Sequence, residues 1–198
     1  MGMLGSVQMA RDCNIMKVCW VLGEDFQSHA DKAKSIKAVA PIWGSHKTWR
    51  EFETDNVICN ELPIAIGLLN RAFQAVCNFY VPKERYVDLG RPNGVKMYDG
   101  GFNVEMFNKD EIIALHLVAP NNDIVLLLGF NLAPRDWGDY KIAKHQWTNY
   151  LLAVKTVIAQ HPDTQWVAID QISDIHPDIK NLPNFTCDKI ENVVHLLV

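Results

Sequence analysis

The sequence predicts an α/β protein, a Rossmann-like three-layer sandwich on a mostly parallel sheet of about six strands. Three observations carry this. Short, almost wholly apolar runs recur along the chain, as strands buried on both faces require. Segments with apolar residues at helical spacing stand between them, which is the βαβ pattern of a parallel sheet with right-handed crossovers. Glycine or proline closes many of these segments, Gly23, Gly44, Pro82 and Pro162 among them.

In chain order, Lys17 to Leu22 (KVCWVL) is the first strand. Residues 1–15 have no clear period and read as a peripheral leader to one domain over 16–198, with Met16 as a second possible start. Asp25 to Ser35, with Ala30, Ala33 and Ile36 at helical spacing, returns the chain to a second run, Ile36 to Trp43. Ser45 is placed to cap a helix through Phe52, with Trp49 and Phe52 on one face. Asn56 to Cys59 is the third strand, Pro63 to Phe73 a helix with proline in its first turn, and Ala75 to Val81 the fourth strand. From Pro82 to Phe107 the pattern weakens into a long, turn-rich connection marked by Gly90, Pro92, Gly94, Gly100 and Gly101.

Asn108 reads as the cap of the next helix, with Asp110 and Glu111 in the first turn, where the helix dipole favours negative charge. Ile124 to Phe130 is the most hydrophobic run and the expected central strand. Ala143 to Gln160 is a long helix with Trp147, Leu151, Val154, Val157 and Ile158 as its apolar stripe. Trp166 to Ile169 and Asn184 to Cys187 are further strands, and Asp188 is expected to cap a last helix through Leu197.

Hydrophobic residues make up 48% of the 198 and charged residues 21%, proportions that suit a packed domain and exclude a disordered chain or a coiled coil. A chain this long buries roughly 70% of its unfolded surface and needs no staple. The formal net charge is −4 and no Lys/Arg cluster is present, so duplex nucleic acid is not an expected partner. Cys13, Cys19, Cys59, Cys77 and Cys187 are odd in number and widely spaced, and read as buried free thiols. No window approaches the roughly 18 apolar residues of a membrane span, and no basic segment leads into a secretory core; a cytoplasmic location is expected. The oligomeric state is left open.

In an open parallel sheet, ligands bind outside the carboxyl ends of the strands. That rule selects Glu24 after the first strand, Gly44, Ser45, His46 and Lys47 after the second, Asn60 after the third, Asn131 and Arg135 after the central strand, and Asp170 after the one that follows it. Gly44 to Lys47 has the form of a helix start whose amides hold a phosphate or carboxylate. His145, just past the polar loop 134–144, and Asp170 are the candidate proton-transfer residues.

Several chemistries lack their signatures. Gly23-Glu24-Asp25 does not have the G-x-G-x-x-G spacing of a dinucleotide site, and no Walker loop, G-x-S-x-G elbow or H-E-x-x-H is present. No cofactor or metal is expected.

The segment Glu111 to Asn131 (EIIALHLVAPNNDIVLLLGFN), together with Gln165 to Asp170 (QWVAID) and Leu182-Pro-Asn-Phe185, resembles small sialyltransferase-like glycosyltransferases and related tailed-phage proteins of unknown function. Asp99-Gly100-Gly101 loosely resembles their Ser-Gly turn. The resemblance covers the C-terminal half. It departs after strand one, where those enzymes carry a Gly-Asn-Gly-Pro-Ser-like loop and this chain has Leu22-Gly23-Glu24-Asp25, and at Asn131, where they carry aspartate. It implies a phage-type protein in the host cytoplasm that binds a nucleotide sugar or another small anionic ligand. Donor phosphates would lie on Ser45 and Lys47, and His145 or Asp170 would act on the acceptor hydroxyl. The alternative is a non-catalytic interaction protein, or virion component, on the same fold.

Overall fold

In the computed structural model the apolar runs become one eight-stranded sheet in which every pairing is parallel. The structure describes residues 16–23, 40–99, 109–134, 141–171 and 175–197, with the side chains of 141–144 and 194–197 left aside. The strands are β1 (Val18–Leu22), β2 (Ile42–Ser45), β3 (Asn56–Ile58), β4 (Asn78–Pro82), β5 (Val95–Tyr98), β6 (Ile124–Leu128), β7 (Gln165–Ile169) and β8 (Phe185–Asp188). The described helices are α1 (His46–Glu51), α2 (Leu62–Leu69), α3 (Lys83–Asp88), α4 (Asp110–Val118), α5 (Lys141–Gln160), α6 (Pro177–Lys180) and α7 (Ile190–Leu197). None is long and apolar enough to cross a membrane.

Strand order β5-β4-β3-β2-β1-β6-β7-β8 shows how the chain winds. It moves outward from β1 to β5, returns to lay β6 on the other side of β1, and moves outward again to β8. The order reverses between β1 and β6, so these two strands form the topological switch point. They are held in register from Val18↔Ile124 to Leu22↔Leu128. Just past them the backbones come closer still. The Gly23 amide donates to the Leu128 carbonyl at 2.8 Å, and a Cβ on Gly23 would stand 2.4 Å from the Gly129 carbonyl oxygen. Only glycine fits there.

Strand residues alternate between two apolar layers. Cys19, Val21, Ile58, Tyr98, Val125, Leu127, Trp166 and Phe185 pack under α4 and α5, through Ile112, Leu115, Val118, Leu151, Val154 and Ile158. On the other face, Trp20, Leu22, Ile42, Leu126 and Ile169 meet Ile190 and Val193 of α7. Val57, Phe73, Phe79, Val81 and Val95 form a third cluster with residues of α2 and α3. Each fully buried Leu or Ile is worth about 1.5–3 kcal/mol over exposure, so the two layers account for the register of the central strands.

The expected α/β class stands, with eight strands in place of about six. The difference arises because 82–107 is not one turn-rich connection. It contains α3 and β5, short elements between glycine-rich turns at Gly90 and Gly94, both at positive φ. Gly44 and Ser45 are the last residues of β2 rather than lying past it. Ala75 belongs to a single 3₁₀ turn, Phe73–Ala75, and the expected Pro63–Phe73 helix stops at Leu69. Trp49 and Phe52 do not share a face, since the helix ends at Glu51 and Phe52 is extended; Trp49 packs edge-on against Phe73 while Phe52 joins the α7 layer. Lys109, not Asn108, occupies the cap position of α4. Asp188 ends β8 and its carboxylate accepts the Lys189 amide and the Asn192 side chain at the start of α7, both at 2.7 Å, while the first amide of that helix, from Ile190, donates to Asp170. The leader, the return helix through Ser35, Asn108, Trp137 and Tyr140 lie outside the described residues. Cys19, Cys59, Cys77 and Cys187 are free thiols.

Candidate active site

All strands being parallel, every carboxyl end faces the same edge of the sheet, and so does the start of each helix that recrosses it. This brings together residues far apart in sequence. β2 runs directly into α1, and its Ser45 hydroxyl accepts the amides of Lys47 and Thr48 at 3.2 and 3.3 Å. The next side chain, His46, is thereby turned into the protein, where it is 3% exposed. α4 lies across β1, β2 and β3 and begins at this edge, with Asp110 in its first turn.

The two meet. His46 Nδ1 lies 3.0 Å from Asp110 Oδ2, and the other carboxylate oxygen, Oδ1, accepts the backbone amide of Asn60 at 3.0 Å. The side chains are 3% and 11% exposed, so this is a buried pair closed by a backbone donor. Burial pushes the Asp110 carboxyl up, and Glu61 adds to the push. The bond from His46, its charge and the Asn60 amide all pull the other way. With Asp110 ionised, the Nδ1 proton points at the carboxylate and the lone pair of the imidazole sits on Nε2, for which no hydrogen-bond partner is seen among the described residues. A histidine oriented in this way by a buried carboxylate is held in one tautomer, with Nε2 as its proton-accepting atom.

Around the pair the surroundings are apolar and acidic. The Cys59 thiol donates to the Glu61 carbonyl at 3.6 Å and is pushed up to about 12, first by burial and then by Asp110, so it is no nucleophile. Tyr98, the last residue of β5, is 6% exposed. Its phenol is held above the usual range by burial and then by Asp110, Cys59 and Glu84. Glu111, beside Asp110, is 2% exposed.

The remaining expected residues distribute along the same edge. Gly44, Ser45, His46 and Asn60 gather at the pair, with Lys47 exposed at its rim. The Lys47 and Thr48 amides of α1 are occupied by Ser45. Asn131 and Asp170 lie past β6 and β7, where the Gln171 side chain donates to the Phe130 carbonyl and ties the two strand ends together. Asp170 has φ +60 and receives the Ile190 amide at 3.3 Å. His145 is exposed on α5, and its Nε2 is 3.2 Å from Asn149 one turn further on; the structure does not bring it to the His46 pair. Glu24 and Arg135 lie outside the described residues. No group of three or more His, Cys, Asp or Glu among the described residues is arranged to hold a metal ion.

Asp110 and Tyr98 were not selected from the sequence. Asp110 reads there as a helix-dipole charge and Tyr98 falls in the turn-rich stretch. The strand-end rule would have found Asp110 had it been applied to helix starts, because in a parallel sheet these share the edge with strand ends. The chain matches no family model, no curated protein and no solved structure.

Proposed function

We propose that the chain is a glycosyltransferase-like enzyme that binds a nucleotide sugar, or a comparable small anionic donor, at the strand-end edge, with His46 as the general base. What supports this reading is the His46–Asp110 pair, a buried imidazole oriented by a carboxylate at the edge where open parallel sheets bind ligands. β2 neighbours β1, so the pair stands roughly 5–10 Å from the switch point, given a strand spacing of about 4.8 Å. A donor seated at the switch point would present its sugar toward His46.

In the step proposed, Nε2 takes the proton of an acceptor hydroxyl as its oxygen attacks the anomeric carbon. The bond from that carbon to the donor phosphate breaks, and the phosphate leaves with the electron pair. Asp110 stabilises the imidazolium that forms. Lys47 at the rim supplies a cation for the leaving phosphate. The catalytic role thus falls on His46 in place of His145 or Asp170.

The test is a thermal-shift and transfer assay with CMP, UDP, GDP and their sugar conjugates. A stabilising nucleotide sugar, with turnover abolished in His46→Gln, is the expected result. No melting shift and no hydrolysis or transfer with any of them would overturn the proposal. One observation favours the second reading, a non-catalytic interaction protein: Val87 and Met97 are exposed beside the open edge of β5. Sedimentation of Met97→Lys against the parent chain tests it, with loss of self-association as the expected sign.

A further inference from the structure

The proposed acceptor site contains a polar atom that the protein itself leaves unused. The Tyr98 hydroxyl is closed to solvent and finds no hydrogen-bond partner among the described residues. Leaving such a group buried and unpaired costs stability, which makes each instance in need of an explanation. The indole nitrogens of Trp20 and Trp166 are also unpaired, but they sit within β1 and β7. Tyr98 is at the last position of β5, opposite Pro82 of β4, and its ring belongs to the cluster that holds Ile58 and Ile112. Asp110 and Cys59 both act electrostatically on the phenol, so the ring stands near the His46–Asp110 pair.

We propose that Tyr98 is the specificity-determining contact for the acceptor, its hydroxyl donating a hydrogen bond to an uncharged oxygen, a hydroxyl or carbonyl, of the molecule whose proton His46 takes. The inference rests on the acid–base reading given above. Its chemistry follows from the charges at hand. Burial first, and then Asp110, Cys59 and Glu84, keep the phenol protonated, so it is a donor. Glu61 adds a further negative charge beside Asp110. Lys83, the cation that follows β4, is bridged to Asp99 at 3.7 Å. A phosphate or carboxylate against the Tyr98 hydroxyl would face these carboxylates, whereas a neutral sugar hydroxyl would meet no such repulsion. The edge is thereby divided, with the uncharged acceptor on the β2–β5 side and the anionic donor toward β1 and β6. Since the hydroxyl is sealed in the empty protein, the acceptor displaces the side chains over it on entering.

The experiment compares Tyr98→Phe with the parent chain, using N-acetylglucosamine, galactose and lactose as neutral probes and glucose 6-phosphate and glucosamine 6-phosphate as charged ones. Ligand-observed NMR titrations give Kd, and the transfer assay gives KM and kcat. The expected result is binding of neutral probes at least ten-fold tighter than of phosphorylated ones. In Tyr98→Phe the neutral-probe Kd and KM rise about 5–20-fold with kcat little changed, while the empty variant melts no lower than the parent because only an unpaired hydroxyl was removed. Neutral-probe binding equal in the two proteins, or phosphorylated probes bound as tightly as neutral ones, overturns the inference and leaves the His46 reading standing. If the parent chain neither binds nor turns over any probe, both fall. A Tyr98→Phe variant that melts well below the parent shows the hydroxyl to be structural and also overturns it.

Discussion

The two edges of the sheet are built differently. At the amino ends of the strands, Asn184 and Thr164 are buried polar side chains met by several backbone partners. Asn184 donates to the carbonyls of Ile158, His161 and Thr164 at 2.9–3.1 Å, and the Thr164 hydroxyl meets the carbonyls of Ala119 and Asn122. Asn78 donates to Asn56, and Asp55 accepts the Ile42 amide, so β2, β3 and β4 are stitched together. At the carboxyl ends a carboxylate and an imidazole are buried together, a phenol hydroxyl is left unpaired, and Asp170 holds a left-handed φ. The Asn184 and Thr164 bonds of the first arrangement contribute to stability. The second keeps groups whose reactivity depends on incomplete satisfaction, and this is the pattern expected where a fold holds a site.

The contrast is open to direct attack. The largest expected effect is on the carboxyl edge. Asp110→Asn keeps an acceptor for the Asn60 amide but removes the charge that orients His46, and His46→Gln keeps a donor toward Asp110 but removes the base. Each should lower turnover about 10²–10⁴-fold in the transfer assay. Equal turnover in both variants would mean that this edge is as structural as the other.

Next comes Gly23→Ala at the switch point. Its Cβ would stand 2.4 Å from a backbone oxygen that has no room to move between two central strands, and a loss of about 2–3 kcal/mol in denaturant unfolding is expected. On the amino edge, Asn184→Ala strips three carbonyls of a donor and should cost about 2 kcal/mol, with ligand binding at the other edge unchanged.

The smallest effect is a pH dependence, also on the amino side. The His116 ring lies 6.3 Å from that of His161, and burial, then His161, lowers its pKa from 6.5 to about 4. The folded chain therefore binds fewer protons than the unfolded chain between these values. Stability contributed by the neutral ring is complete above about 6.5 and is lost as pH falls toward 4. Partial exposure of the ring limits the loss to about 1–2 kcal/mol. Melting curves between pH 4 and 7 on the parent and on His116→Gln would show it, and parallel curves for the two would refute it.

How far these features were legible differs from one to the next. β1, β6 and β7 are plain in the sequence because strands buried on both faces must be apolar throughout, and KVCWVL, IVLLL and QWVAI can hardly be read otherwise. β5 is not, because Val95-Lys96-Met97-Tyr98 is an edge strand with two exposed residues among four and turn glycines close by. Ser45 was legible as a cap, since its role is local. His46 was visible as a strand-end residue, but in the sequence its apparent fate is an exposed first turn. Its burial depends on α4, 64 positions away, lying across it.

What the sequence determined by itself is what nearest neighbours and periodicity control: the α/β class, the parallel sheet, and the edge on which strands end and helices begin. The tertiary structure alone decided the strand order, the eighth place in the sheet, and the meeting of His46, Asp110, Asn60 and Tyr98. The reason is physical. Local pattern is set by burial and backbone hydrogen bonding within a few residues, whereas a buried charge pair is set by which helix crosses which strand, and that follows from packing the whole sheet.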